Sequence, residues 1–436
     1  MVKATLGTST LAGMVMCVFG ATASYGESLG SGGTAPSLKI DGFTAINTYF
    51  MNQQQRENGR GGPQPHIGVD ASNLFFTVRG ASATGFEYLY RLTLETIPGS
   101  DSTFDQNYIE FRKNGWVGQI GNNVGPADTM IFDAGKIIGG TGGFDGAYNN
   151  VYNMSAGVMR GNDNVGDTGN ATKIVVYTPE AMGFRVGLSY TPNTKHRGDE
   201  GLDTRSNRGG YNRIPGNRGL YPNNGVQPFD LRNIELGITY KKEMGKWSMT
   251  LSAAGITAKS YFFDSNGPIG AAQGRRPVQN TKAYQLGGIL GYGDWRFGAG
   301  YLDNGKSHLP RTPNFMVVNN NVSLDSMYNG NAGKAWNVGA GYTMGAYQFA
   351  ASYQGTTRDT GNIMKAKSDF YSATVDVTPL QGLKVYTEID YIQSRTNTAA
   401  VARESSVIAA AGSKPFNRAI GNNSALLGIV GTKISF

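Results

Sequence analysis

The feature that most constrains this chain is strict two-residue alternation, repeated in segment after segment. Between residues 85 and 96, Phe86, Tyr88, Tyr90, Leu92 and Leu94 share one face, while Glu87, Leu89, Arg91, Thr93 and Glu95 share the other. Successive side chains of a strand point to opposite sides of a sheet, so this spacing predicts a strand; a face that carries every charge cannot be a dry core. Phe184, Val186, Leu188 and Tyr190 oppose Arg185, Gly187 and Ser189 in the same way. Trp295, Phe297, Ala299 and Tyr301 oppose Arg296, Gly298 and Gly300, and Leu383, Val385, Ile389 and Tyr391 oppose Lys384, Glu388 and Asp390. A helical membrane protein is excluded, because the mean hydropathy is −0.32 and no run beyond the N-terminus has the roughly 18 apolar residues a helical span needs.

A sandwich of two sheets would also alternate. Two details separate it from this chain. The apolar faces often begin or end in Tyr or Trp, as where a strand crosses a membrane interface, and the polar faces are rich in Gly, small residues and isolated charges, which suits a watery interior. The connections then decide. Short links fall near residues 81–85, 113–115, 179–183, 242–246, 293–294, 344–346 and 379–382. Long ones fall near 51–66, 97–105, 122–170, 192–227, 259–281, 304–334, 357–366 and 397–422, in strict alternation with the short ones. In an up-and-down sheet, alternate links lie at opposite ends, so one end is all tight turns and the other all long loops. The pattern predicts an all-β, transmembrane, antiparallel β-barrel of about sixteen strands, the form a sheet must take to pair every backbone group in lipid.

The N-terminus bears on the compartment. Lys3 precedes an apolar or small-residue run over residues 11–23, which closes on Ala21-Thr22-Ala23, the small-x-small pattern of a signal-peptidase site. The expectation is a cleaved signal peptide at 1–23 and a barrel over 24–436. Removal of Lys3 and Cys17 leaves 38 basic and 31 acidic side chains, one basic group fewer than the 39 of the full chain, and no thiol. Disulfides, thiolate metal sites and cysteine nucleophiles are therefore excluded from the mature chain. The positive balance is spread without a Lys/Arg block, which gives no support for nucleic-acid binding.

With these patterns in place, the sequence resembles the Gram-negative general porins, the trimeric sixteen-strand diffusion channels. The resemblance covers essentially the whole mature chain. It rests on NLFFTVRGASATGFEYLYRLTLE at 73–95, GWVGQIGNN at 115–123, ATKIVVYTPEAMGFRVGLSYTP at 171–192, and the ending GTKISF. It implies an outer-membrane location and a homotrimer. It also implies that Phe436 is part of the signal read by the barrel-insertion machinery. It further implies that residues 122–170 form a long third loop folded into the lumen. Its acidic residues, Asp128, Asp133 and Asp145 here, would face a basic wall. Parity puts Arg79, Arg91, Arg112 and Lys173 on that wall. Opposed fixed charges across a narrow pore orient dipolar solutes and set ion preference. The tip GGFDG at 142–146 departs from the Pro-Glu-Phe-Gly-Gly form usual in the family. Other charges on the polar faces are mixed: Arg185, Arg232 and Arg296 against Glu87, Glu95, Glu110, Glu235, Glu388 and Asp390.

Other chemistries find little footing. The three histidines, His66, His196 and His308, all fall in expected loops, with no HExxH spacing for zinc and no strand-borne Ser–His pair for a barrel hydrolase. No cofactor is implied. Oxygen-rich clusters at Asp163, Asn164, Asp167 and Asn170, and at Asp199, Glu200 and Asp203, miss the EF-hand pattern and read as solvated loop. Five arginines between 197 and 218 make the fourth loop basic, suited to lipopolysaccharide phosphates. The expected function is passive diffusion of ions and small hydrophilic solutes through a membrane channel. The alternatives are a solute-specific channel of anion or phosphate type, and an adhesin that uses the barrel as an anchor for its loops.

Overall fold

The structure, a computed structural model, describes residues 34–54, 65–96, 104–152, 158–159, 168–194, 228–263, 275–309, 311, 317–318, 322–323, 330–359, 365–397 and 422–436. Sixteen long strands run through them. They are β1 (Thr34–Gln53), β2 (His66–Ala81), β3 (Glu87–Glu95), β4 (Phe104–Lys113), β5 (Trp116–Asn122), β6 (Thr172–Tyr177), β7 (Phe184–Asn193) and β8 (Pro228–Met244). The second half comprises β9 (Trp247–Phe263), β10 (Thr281–Tyr292), β11 (Trp295–Asp303), β12 (Asn331–Met344), β13 (Tyr347–Asp359), β14 (Lys365–Leu380), β15 (Leu383–Thr396) and β16 (Asn423–Ser435). Each pairs antiparallel with its neighbours in sequence. The sheet closes where β1 pairs β16, from Phe43↔Ser435 to Gln53↔Ala425. Phe436 completes that seam through two backbone hydrogen bonds with Gly42, both 3.0 Å. Closure leaves no sheet edge, which is what lets a sheet stand in hydrocarbon.

Tight turns join alternate pairs. At Asn114-Gly115 both residues have positive φ (51° and 81°), the mirror-image turn whose twist matches that of paired strands. Met182-Gly183 repeats the geometry at 51° and 83°, a conformation an L-residue such as Met182 adopts only where the ladder imposes it.

The alternation read from sequence becomes an inside and an outside. On β6, Ile174 is 51% exposed while its neighbour Val175 is fully buried, and on β15 Ile389 is 55% exposed beside Glu388 and Asp390 at 0%. Outward aromatics gather in two belts. Near the tight turns, Phe184–Tyr240, Trp247–Tyr292 and Trp295–Tyr342 rings pack at 4.5, 4.6 and 4.7 Å. Toward the long loops lie Tyr284–Tyr301 and Tyr353–Tyr371, at 6.2 and 4.9 Å. On β10 the belts are marked by Tyr284 and Tyr292, eight residues apart, or roughly 19 Å along the barrel axis at the usual rise and a tilt near 45°. Several strands outrun the expected links: β9 continues to Phe263, where Arg275–Pro277 pairs with it. Backbone pairing persists above the apolar belt, where the side-chain pattern no longer has a membrane to answer to.

Candidate functional site

Between β5 and β6 the chain leaves the ladder and forms a short helix, α1 (Pro126–Thr129), then 3-10 turns at Ala134–Lys136, Gly143–Asp145 and Ala147–Asn150. The local sequence explains the breaks. Pro126 opens α1, Asp133 caps the next turn by accepting from the Gly135 amide at 2.9 Å, and Gly140, Gly142 and Gly143 take positive φ. Such a segment has many backbone groups without a ladder, and the polar faces of the later strands supply their partners. Glu235 on β8 receives the amides of Ala127 and Thr168 and the Thr168 hydroxyl. Ser252 on β9 receives the Phe132 amide. The Asp133 carboxylate accepts from Gln285 on β10 at 3.2 Å and Asn337 on β12 at 2.9 Å. Further along, Gly139, Gly140 and Thr141 donate their amides to Thr374, Asp376 and Glu388 at 3.1, 2.7 and 2.6 Å. Tyr152 reaches Ser394 and the Asn423 carbonyl, and burial pushes its hydroxyl up to about 12.

The same wall is floored with glycine where the segment rests. A Cβ on Gly287 would lie 2.5 Å from the Phe132 carbonyl, one on Gly298 2.6 Å from Ile137, and one on Gly341 2.7 Å from Ile137. These glycines read in the sequence as a watery face. In the folded chain they admit a backbone instead.

The residues expected to act in a channel fall into different settings. Arg79, Arg91 and Arg112 share one face of β2–β4, since Thr77 pairs Arg91 and Glu87 pairs Arg112. Arg79 and Arg112 are exposed; Arg91 is half-buried, its guanidinium 4.4 Å over the Phe75 ring. Arg112 is held at 2.5 Å by the buried Glu110. Lys173 is on that face too but buried, its ammonium bonded to the Asn123 and Gly169 carbonyls, so it ties together the two ends of the 123–169 segment. Asp145 is exposed and Asp128 half-buried, while Asp133 is fully buried among its donors. Glu235, Glu388 and Asp376 are likewise buried against the segment. Phe436 is 68% exposed on the apolar face. Parity could find neither Asp376, Gln285 and Asn337 as anchors nor the glycine floor, because nothing in one strand announces what will lie across it. Arg232, assigned to the interior by count, sits at a bulge with φ 53°, where parity breaks.

The sequence model of the Gram-negative porins matches residues 10–398. The chain belongs to the Gram-negative porin family. This porin is 26% identical over 246 residues to an uncharacterized protein of Rickettsia bellii, an alignment of 52% of this chain and 51% of the relative. An uncharacterized protein of Rickettsia prowazekii is 25% identical over 319 residues, 64% of this chain and 67% of that one. The porin thus spans about half the length of the first of these relatives and two thirds of the second. Among solved structures, the anion-selective porin from Comamonas acidovorans superposes with a TM-score of 0.53 at 13% identity, over 92% of this chain and all of that one (100%). OmpT of Vibrio cholerae, in its trimer form, gives 0.51 at 12% identity over 92% and 100% of the two chains. At such identities the likeness is one of fold.

One histidine of the porin departs from the expected loop position. His66 opens β2 rather than lying in a loop. His308, in a turn after β11, is fully buried, its Nε2 2.8 Å from Asp230 and 2.9 Å from Thr281. Ser260 gives its proton to Asp230 at 2.5 Å, not to the imidazole. A nucleophilic serine needs the histidine as its base. The arrangement is instead a clamp of the turn onto β8, β9 and β10. His196, the acidic group at 199–203 and the arginines between 197 and 218 lie outside the described residues, as do Asp163, Asn164 and Asp167. Asn170 donates to Asp105 at 2.5 Å. Among the described residues no group of three His, Cys, Asp or Glu could hold a metal ion.

Proposed function

We propose that this porin conducts ions and small hydrophilic solutes across the outer membrane by passive diffusion, with residues 122–170 folded into the lumen to narrow it. One observation carries this reading: in a closed barrel, apolar outside, the described part of the segment between β5 and β6 is hydrogen-bonded to interior-facing groups from β8 round to β16. Such a lining restricts solute size while leaving the β1–β4 side to water. Arg79, Arg91 and Arg112 then form the basic wall, opposed by Asp128 and Asp145. Asp133 and Lys173 belong to the anchoring rather than the field.

Burial of Glu235, Glu388, Asp376 and Asp133 takes acidic groups out of contact with the water path, while Arg79, Arg112 and Arg296 stay exposed. Glu87 and Asp145 stay exposed as well, but they are outnumbered by Arg79, Arg112 and Arg296. An excess of fixed positive charge along an aqueous path raises the local anion concentration, so anions are favoured. Residues 1–23 serve as a cleaved signal peptide in this reading. The barrel assembles as a homotrimer in contact with lipid and lipopolysaccharide after delivery by the insertion machinery, which reads the strand ending in Phe436.

The test is planar-bilayer conductance of the purified protein in a KCl gradient. Stepwise conductance nearly linear in salt, with a reversal potential of anion-preferring sign, is expected. Absence of steps overturns the channel, and a cation-preferring sign overturns the assignment of charge.

A further inference from the structure

On the tight-turn side of α1 the interior holds a recess of about 370 Å3. Arg112, Arg185 and Lys241 line it together with Met130, Phe132 and Tyr177. A second hollow of about 360 Å3 shares Arg112 and Arg185 and is bordered by the Asn114-Gly115 turn. Within the recess the three cations meet one carboxylate, Glu110, which Arg112 and Gln119 already engage at 2.5 and 2.6 Å; the neighbouring hollow adds Glu87 and Glu180 with Lys113. Among the described residues Arg185 and Lys241 make no ion pair. The Arg185 Nε is buried with no hydrogen-bond partner. Its guanidinium stands 5.2 Å over the Tyr177 ring, and the Lys241 ammonium 5.3 Å over that of Phe132.

Arg185 is half-buried and Lys241 exposed, so both cations border the recess without a carboxylate of their own, and an anion entering it would meet charge that the recess wall does not neutralise. The planar fork of an arginine fits the two oxygens of a carboxylate, and the rings beneath the cations, with Met130, offer an apolar surface next to the charge. The volume lies at the small end of the ~300–1,000 Å3 range of small-molecule sites. We propose that this recess is a binding subsite for a small organic carboxylate with an apolar body, its carboxylate on Arg185 and Lys241 and its body against Met130, Phe132 and Tyr177. The proposal rests on the channel reading and names the solute class that the channel would retain beside the narrowing segment.

Benzoate is the probe, with acetate and inorganic phosphate as comparisons. The readout is KCl conductance in a planar bilayer and, separately, calorimetric titration of the detergent-purified protein. Benzoate is expected to reduce conductance saturably and at lower concentration than acetate or phosphate. Arg185→Gln and Lys241→Gln should each raise the half-blocking concentration about tenfold, the worth of one charge-assisted hydrogen bond. Lys365→Gln, which removes an equal charge at the far rim, should leave that concentration where it was. Should the pore conduct while benzoate neither blocks nor binds, the recess proposal falls and the channel stands. Equal potency of phosphate, or block unaltered in both recess variants, also overturns it. Were there no conductance at all, the channel reading would fall, and the titration with its two variants would still decide the recess.

Discussion

At Gly287 an added side chain would meet the Phe132 carbonyl, and at Gly298 it would meet Ile137 and the Ala134 backbone. Neither glycine has a positive φ, so space and not backbone strain holds these positions small. Gly255, on the outward face of β9, has nothing nearer than 3.8 Å to such a Cβ. Gly287→Val is therefore expected to push the segment off the wall, at about 1–3 kcal/mol for an overpacked contact. Its channels should show larger and noisier single-channel current, while Gly255→Ala matches the parent. A Gly287→Val channel with parental current would show that the segment does not rest there. The barrel itself should survive the change, because the ladder between β9 and β10 involves backbone only.

In the proposed reading the 126–152 segment sets permeation, and its carboxylate anchors are buried. Asp133 caps a turn and accepts from two strands at once, and Glu388 takes both the amide and the hydroxyl of Thr141. Asp133→Ala leaves the Gln285 and Asn337 amides without their acceptor, a loss of about 1–3 kcal/mol for buried groups. Combined with Glu388→Ala it should loosen the middle of the segment, which Ser252, Thr374 and Asp376 still hold in part, while Glu235 and Tyr152 hold its ends. Brief closures in single-channel records are the expected signature, with heat-dependent gel mobility unchanged. Records as quiet as the parent's would sink the idea that these two acids are anchors. In the sequence alone Asp133 reads as an acid of the narrowing loop and Glu388 as one of the mixed lumen charges. Parity says which face a carboxylate is on, but not whether that face meets water or another part of the chain.

For the whole molecule, closure is the stabilising event, because an open sheet would present unpaired N–H and C=O groups to lipid. Truncation after Gly428 removes the pairs from Tyr49↔Ile429 to Phe43↔Ser435 and the two bonds between Gly42 and Phe436. The expected result is loss of the compact, heat-modifiable species on unheated gels; its persistence would mean that the seam is dispensable. The strand count, the antiparallel order, the apolar exterior and the two kinds of connection are all legible in the sequence. Each is imposed by a solvent, lipid or water, that acts on every strand in the same way, so it writes a period along the chain. The segment's path, the glycine floor, the burial of Lys173 and Asp133, the clamp on His308 and the grouping of Arg185 with Lys241 are not legible there. They depend on residues far apart in the chain, such as Thr141 and Glu388, 247 positions apart, or Tyr152 and Asn423, 271 apart, that meet only once the sheet has curled shut. The sequence determined a barrel with an inside; only the closed tertiary structure decided what that inside touches, because contacts across a lumen leave no period along a strand.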